Sequence, residues 1–305
     1  FILATIPIIF GSVQIWVWPF YTLLMYAAYA ALLWMPAQAP RLRPGRVCAL
    51  TLGPFFAAAL FLCLPLPPAV VAALSPFRLA TASRAADLLG VPLGWTTLGY
   101  RPLESLAWIG FLLGLVLFFF VLRVHFESRR HLTATAWLLF GLAVAQSCYG
   151  ILQALVPNMP VLWATYIKSG LGNARGTWVN RNHFAGFIEM MLPVALGVTL
   201  ARAWWGDRFR FKMLLVSDRP HNHVVLCLGL VVVFLAVLFS KSRAGITATL
   251  LGLAVFLSLL RPAGRGMLKA AWATVAGMFL LVAVYGSRMG FDPIIQRFLA
   301  LGADA

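Results

Sequence analysis

The chain has 305 residues, of which 62% are hydrophobic and only 10% charged, with a formal net charge of +16. Soluble domains are about 45–50% apolar and about 25% charged, so this composition excludes a water-soluble globule and intrinsic disorder. Porin-type barrels are excluded too, because their strands alternate apolar and polar residues in segments of about ten. The 24 basic residues are scattered through short connections rather than gathered in one patch; topology accounts for them, and no nucleic-acid partner is indicated.

In chain order, apolar runs fall at roughly 1–15, 19–36, 47–65, 103–123, 133–156, 182–201, 223–240, 244–260 and 268–285. A helix needs about 20 mostly apolar residues to cross a bilayer. The expected fold class is therefore all-α, a polytopic transmembrane helical bundle of about nine spans occupying residues 1–285. The first apolar run is not read as a secretory signal peptide, since further spans rather than a cleavage site follow it. Threading the connections in alternation puts Arg41, Arg43, Arg46, Arg123, Arg129, Arg130, Arg202, Arg208, Arg210, Lys212, Arg219, Arg261, Arg265 and Lys269 on one side. Arg78, Arg84, Arg101, Lys168, Arg175, Arg181, Lys241, Arg243, Arg288 and Arg297 fall on the other. The larger set belongs in the cytoplasm by the positive-inside rule. Segments 66–102 and 157–181 are then outer loops, the first with a short helix around Phe77–Leu89, the second rich in Gly, Asn and Pro turn chemistry. From Gly286 to Ala305 a polar segment opens and stops, which reads as the start of a truncated loop with the C-terminal part missing.

Cys48, Cys63, Cys148 and Cys227 lie in or beside apolar runs without Cys-x-x-Cys spacing, as small buried hydrophobes do. His125, His131, His221 and His223 lack acids arranged as co-ligands, so no metal site is expected. Most Trp, including Trp16, Trp18, Trp95, Trp163 and Trp178, fall near run ends, as interfacial belts do.

The densest polar cluster runs from Gly172 to Gly186 at the entrance to the sixth run. Asn180 or Asn182 can cap the helix that follows. The helix N-terminus, with its unpaired N–H groups and positive dipole end, suits an anion, and Arg175 and Arg181 add bidentate donors matched to phosphate. A plainer reading is snorkelling interfacial arginines beside a capping Asn. Ser240-Lys-Ser-Arg-Ala-Gly245 forms a second such entrance, with Ser242 as cap and Lys241 and Arg243 as cations. Glu189 is an acid inside a predicted span and shares a helical face with Asn182 and Gly186. It can form a structural salt bridge with Arg243 or Arg175, or act in chemistry. His183 can serve as a base or phosphate donor, or simply pack.

Arg175-Gly-Thr-Trp-Val-Asn-Arg-Asn-His-Phe-Ala-Gly186, followed by an apolar span with Glu189 and Pro193, resembles the signature of the O-antigen ligase and polymerase superfamily. Ser242-Arg-Ala-Gly245 is similar to its second hallmark, and Gly94-Trp-Thr-Thr-Leu-Gly-Tyr-Arg-Pro102 to a third, weaker one. Segment 286–305 looks like the start of the family's large periplasmic loop. The resemblance implies a GT-C-type glycosyltransferase of the bacterial inner membrane with its active face toward the periplasm. It would move a glycan from an undecaprenyl-pyrophosphate-linked donor to an acceptor hydroxyl, lipid A-core first, without metal or other cofactor. Arg175 and Arg243 would hold the pyrophosphate with Arg181 and Lys241 in support, and the family's loop histidine has no counterpart in this numbering. A chain polymerase or protein O-oligosaccharyltransferase is the alternative within the family; a lipid or glycan transporter and a non-catalytic membrane subunit are the alternatives outside it. Arg175→Ala and Arg243→Ala are both expected to abolish transfer with folding intact.

Overall fold

The computed structural model describes residues 1–9, 17–42, 44–156, 158–162, 172–203, 220–260, 268–269, 271–277 and 279–280. Segment 286–305, Lys168, Trp16, Trp163 and much of the 157–181 loop lie outside the described residues, as do the side chains of His221 and His223. The described architecture is all-α apart from one antiparallel pair of two-residue strands, β1 (Pro65–Leu66) and β2 (Thr96–Thr97). Its helices are α1 (Ile2–Thr5), α2 (Val17–Leu33), α3 (Arg46–Phe61), α4 (Pro68–Leu74), α5 (Pro76–Leu89), α6 (Pro102–His125) and α7 (Arg129–Leu155). They continue with α8 (Arg181–Ala203), α9 (Pro220–Phe239) and α10 (Arg243–Leu259).

Among the described residues, three helical stretches are long and apolar enough to cross a membrane: Pro102–His125, Arg129–Leu155 and Arg181–Ala201. Val17–Leu33, Arg46–Phe61, Val224–Phe239 and Arg243–Leu259 are apolar but shorter. At 1.5 Å per residue, a helix of 17 residues such as α2 is about 25 Å long, less than the roughly 30 Å of a typical hydrocarbon core. Nine spans were expected from apolar runs; runs 103–123, 133–156 and 182–201 correspond to helices slightly longer than themselves, whereas 19–36 and 47–65 correspond to shorter ones. In the described part of the first run, helix α1 stops at Thr5 and turns follow at Ile6–Ile8, because Pro7 cannot donate within a helix and restricts the residue before it.

The chain divides into two compact units. The inserted unit, Ile15–Ser128, packs α2 against α6, with α3 beside α6. Gly114 on α6 admits Thr22 and Met25 of α2 so closely that an added Cβ would lie 3.2 Å from the Thr22 methyl. Helix α5 falls where the sequence placed a short helix and shows its local logic. Ser75 caps it by accepting the Arg78 N–H, Pro76 occupies the first turn, and Gly90 ends it at φ +65°. In α6, Glu104 lies in the first turn and Arg123 and His125 in the last, each matched to its end of the helix dipole.

The discontinuous unit, Phe1–Gln14 with Arg129–Ala305, is a bundle centred on α8, which touches α7, α9 and α10. Phe184, Ile188, Leu192 and Leu196 recur every four residues on α8 and are fully buried. They pack in one core with Phe140 of α7, Leu230, Val233 and Val237 of α9, and Leu253 and Leu257 of α10. Gly186, Glu189 and Pro193 lie on the less covered face of α8, where Met190 is exposed. Pro193 has no N–H to give to the Glu189 carbonyl, which weakens the helix at that turn.

Candidate functional site

One end of the discontinuous unit gathers both polar clusters. The N-termini of α8 and α10 meet there, and glycine explains how closely. A Cβ at Gly245 would lie 2.5 Å from the Cβ of Ala185, so the first turn of α10 rests on the first turn of α8 because neither carries more than a methyl. The C-terminal end of α9 belongs to the same end, since the Phe239 carbonyl accepts the Ala174 N–H at 2.9 Å.

Asn180, rather than Asn182, is the α8 cap. Its Oδ1 accepts the Asn182 N–H at 2.8 Å, and its carbonyl accepts from His183 and Phe184. Asn182 is thereby inside the helix and exposed, as is His183. A cap needs non-helical geometry, which only the residue before Arg181 has. Ser242 caps α10 as expected: it is buried, and its Oγ accepts the Gly245 N–H at 3.2 Å. The preceding Ser240 hydroxyl accepts the Ser242 N–H at 3.1 Å and donates to the Val237 carbonyl. Lys241 between them adopts φ +53°, a left-handed conformation uncommon outside glycine. That turn sends its Nζ to the Gly172 carbonyl at 3.1 Å, bridging the two clusters.

The four cations differ in what they can still do. Arg175 is only 5% exposed, its Nη1 donates to the Val179 carbonyl at 3.3 Å, and burial pulls its guanidinium below the usual range while leaving it charged. It forms part of the frame of its own loop, so Arg175→Ala is expected to cost stability as well as transfer. Arg181 is half-buried and donates to Asn173 Oδ1 at 3.4 Å. Arg243 stands at the first position of α10 with Nη1 buried and no hydrogen-bond partner among the described residues. A buried donor left unmatched costs about 1–3 kcal/mol, more when charged. This is the cation whose binding capacity is least used.

Two residues that the sequence reading passed over hold the loop in place. Gln146 and Gln153 are seven apart on α7 and therefore share a face; both are buried. Gln153 accepts the Arg175 N–H at 3.3 Å and donates to the Gly176 carbonyl at 2.9 Å and the Pro160 carbonyl at 3.2 Å. Gln146 accepts the Thr177 N–H at 3.2 Å and donates to the Pro7 carbonyl at 3.0 Å. The Thr177 hydroxyl donates to that same carbonyl at 2.5 Å. Two amides at a seven-residue interval in an otherwise apolar run were the available signal. Gly176 is required by this arrangement: at φ +54° it favours glycine, and a Cβ there would lie 2.5 Å from Gln146 Oε1.

Glu189 pairs with neither Arg175 nor Arg243: the ion pairs among the described residues are Arg41–Glu127 and Arg101–Glu104, both in the inserted unit. Gly99, in the weaker third motif, donates its N–H to the Leu62 carbonyl at 2.8 Å, and Arg78 holds the neighbouring Thr97 carbonyl at 3.0 Å. That motif therefore shapes the 66–102 segment within its own unit.

Chemically, the end of the discontinuous unit offers two capped helix N-termini, Arg181, Lys241 and Arg243 on mutually tied turns, and the exposed His183. It is fitted to hold an anion of more than one charge. Comparison with family models, with curated proteins and with solved structures gives no match to this chain.

Proposed function

We propose that the chain is an O-antigen ligase-type glycosyltransferase of the bacterial inner membrane, multi-pass, with its active face toward the periplasm. On this reading, the juxtaposed entrances of α8 and α10 hold the pyrophosphate of an undecaprenyl-linked glycan donor. The observation that carries it is Arg243, whose buried Nη1 has no partner among the described residues and whose helix is pinned to the other entrance through Gly245 and Ala185. A phosphate oxygen would satisfy that donor and gain from both helix dipoles.

In the reaction, an acceptor hydroxyl attacks the anomeric carbon of the donor sugar. The bond from that carbon to the phosphate oxygen breaks, and the pyrophosphate leaves with the bonding electrons. Negative charge grows on the leaving oxygen, and preorganised cations stabilise it where magnesium serves elsewhere. Because the leaving group is already an anion, help is needed chiefly in taking the hydroxyl proton. His183, exposed on the first turn of α8, is the described side chain suited to it. Glu189 lies two turns further in and is not assigned a step.

The test is transfer by the whole protein in nanodiscs, with undecaprenyl-pyrophosphate-linked glycan and lipid A-core, comparing the native chain with Arg243→Ala. Arginine-dependent glycan on the lipid supports the ligase reading. Lengthened glycan on its original carrier identifies a polymerase instead. Donor that binds without any transfer sinks the enzyme reading in favour of a transporter or a non-catalytic subunit.

A further inference from the structure

Glu189 is the acid that the site leaves unused, and its surroundings are unusual for a carboxylate. It lies eight residues into α8, so about 12 Å along the helix axis from Arg181. Its flanks on the same face are Gly186 and Pro193, and the adjacent Met190 is 62% exposed. Among the described residues Glu189 has no ion pair and no hydrogen-bond partner. The other acids in α6 and just after it are placed differently: Glu104 is held by Arg101 at 3.0 Å and Glu127 by Arg41 at 2.6 Å, all four exposed.

An isolated carboxylate in an apolar, water-poor setting is so costly that the group neutralises by keeping its proton. Intramembrane acids escape that cost by pairing or by facing water, and pairing is absent for Glu189 among the described residues. We infer that Glu189 is held as a protonated carboxylic acid opening onto the lipid phase, a modification site for lipid-soluble carbodiimides. The inference rests on α8 being a membrane span and is independent of the glycosyltransferase reading.

The chemistry discriminates sharply. The carboxyl O–H adds across one C=N bond of the carbodiimide, its proton going to nitrogen and its oxygen to the central carbon. The resulting O-acylisourea rearranges by acyl migration to nitrogen, giving an N-acylurea. Every atom of both reactants is retained, and nothing is oxidised or expelled. A carboxylate lacks the proton that starts the addition, and water hydrolyses the first adduct before it rearranges. A stable adduct therefore requires a neutral carboxyl in a dry place.

The experiment treats the whole protein in nanodiscs at neutral pH with dicyclohexylcarbodiimide and maps adducts by peptide mass. The expected result is an N-acylurea on the peptide containing Glu189 and its complete loss in Glu189→Gln. In parallel, a water-soluble carbodiimide with glycine ethyl ester should label Glu104 and Glu127 and leave Glu189 unmodified. No adduct at Glu189 in the native chain overturns the inference, as does labelling of Glu189 by the water-soluble reagent to the level of Glu104. Because the deciding measurements are made on the native protein, a folding defect in the variant cannot mimic either result.

Discussion

The two units use arginine in opposite ways. In the inserted unit, Arg41 and Arg101 each meet a carboxylate, and Arg78 is held between the Thr97 carbonyl and the ring of Tyr100, 4.8 Å from its centroid. Arg123 completes the set by donating to the Arg41 carbonyl. These side chains tie segments together and are spent in doing so. In the discontinuous unit, the hydrogen bonds described for Arg175, Arg181 and Lys241 end on carbonyl or amide oxygens, and Arg243 keeps a buried donor unmatched. The contrast teaches that basic residues on predicted loops are not equivalent. What separates a tie from a binding group is whether a partner is already built in.

The contrast can be broken or sharpened by substitution. The largest effect is expected from Arg243→Ala, which should lower transfer by about 10²–10³-fold, the usual loss when one preorganised donor is removed. Its thermal unfolding should be unchanged, since Nη1 has no described partner to lose. A normal rate in this variant would remove the distinction between the units.

Next in size is Gly245→Ala. The new methyl would meet Ala185 at 2.5 Å, and overpacking of this kind costs about 1–3 kcal/mol. Both stability and transfer should fall, and Ala185→Gly in the same chain should restore them. Recovery of stability without recovery of transfer would show that closeness of the two entrances is not what matters.

Gln153→Leu should cost a similar or smaller amount, about 1–3 kcal/mol, by leaving the Arg175 N–H and the Gly176 carbonyl without their partner. Thermal unfolding and limited proteolysis of the 172–180 loop check it; native-like values would mean that the loop is held elsewhere. Arg175→Ala belongs with this variant, losing stability together with transfer. Smallest of all is Arg41→Ala, which removes an exposed pair with Glu127. Such pairs contribute about 0–1 kcal/mol, so transfer and unfolding should both stay close to native.

These cases show how far the sequence could be read. The helix entrances were legible because capping is local: Ser242 and Gly245, or Asn180 and Asn182, lie within three residues of each other. Helix α5 was legible for the same reason, with Ser75, Pro76 and Gly90 marking its ends. The work of Gln146 and Gln153 was not, because their partners in the 175–177 segment lie 22 to 31 residues away, and Pro7 lies 139 residues from Gln146. Nor could spacing reveal that Arg175 is covered while Arg243 is left with capacity, since that depends on how α8, α9 and α10 converge. The extent of the first run was not legible, because apolar residues continue past the end of α1 into the turns at Ile6–Ile8.

The central claim is tested most directly by equilibrium binding of undecaprenyl pyrophosphate to the whole protein in nanodiscs, in EDTA, with and without Arg243→Ala. The account predicts binding that survives chelation of divalent metal and weakens at least tenfold on loss of the Arg243 guanidinium. Equal affinity for the native and Arg243→Ala proteins, or binding that vanishes in EDTA, would contradict it.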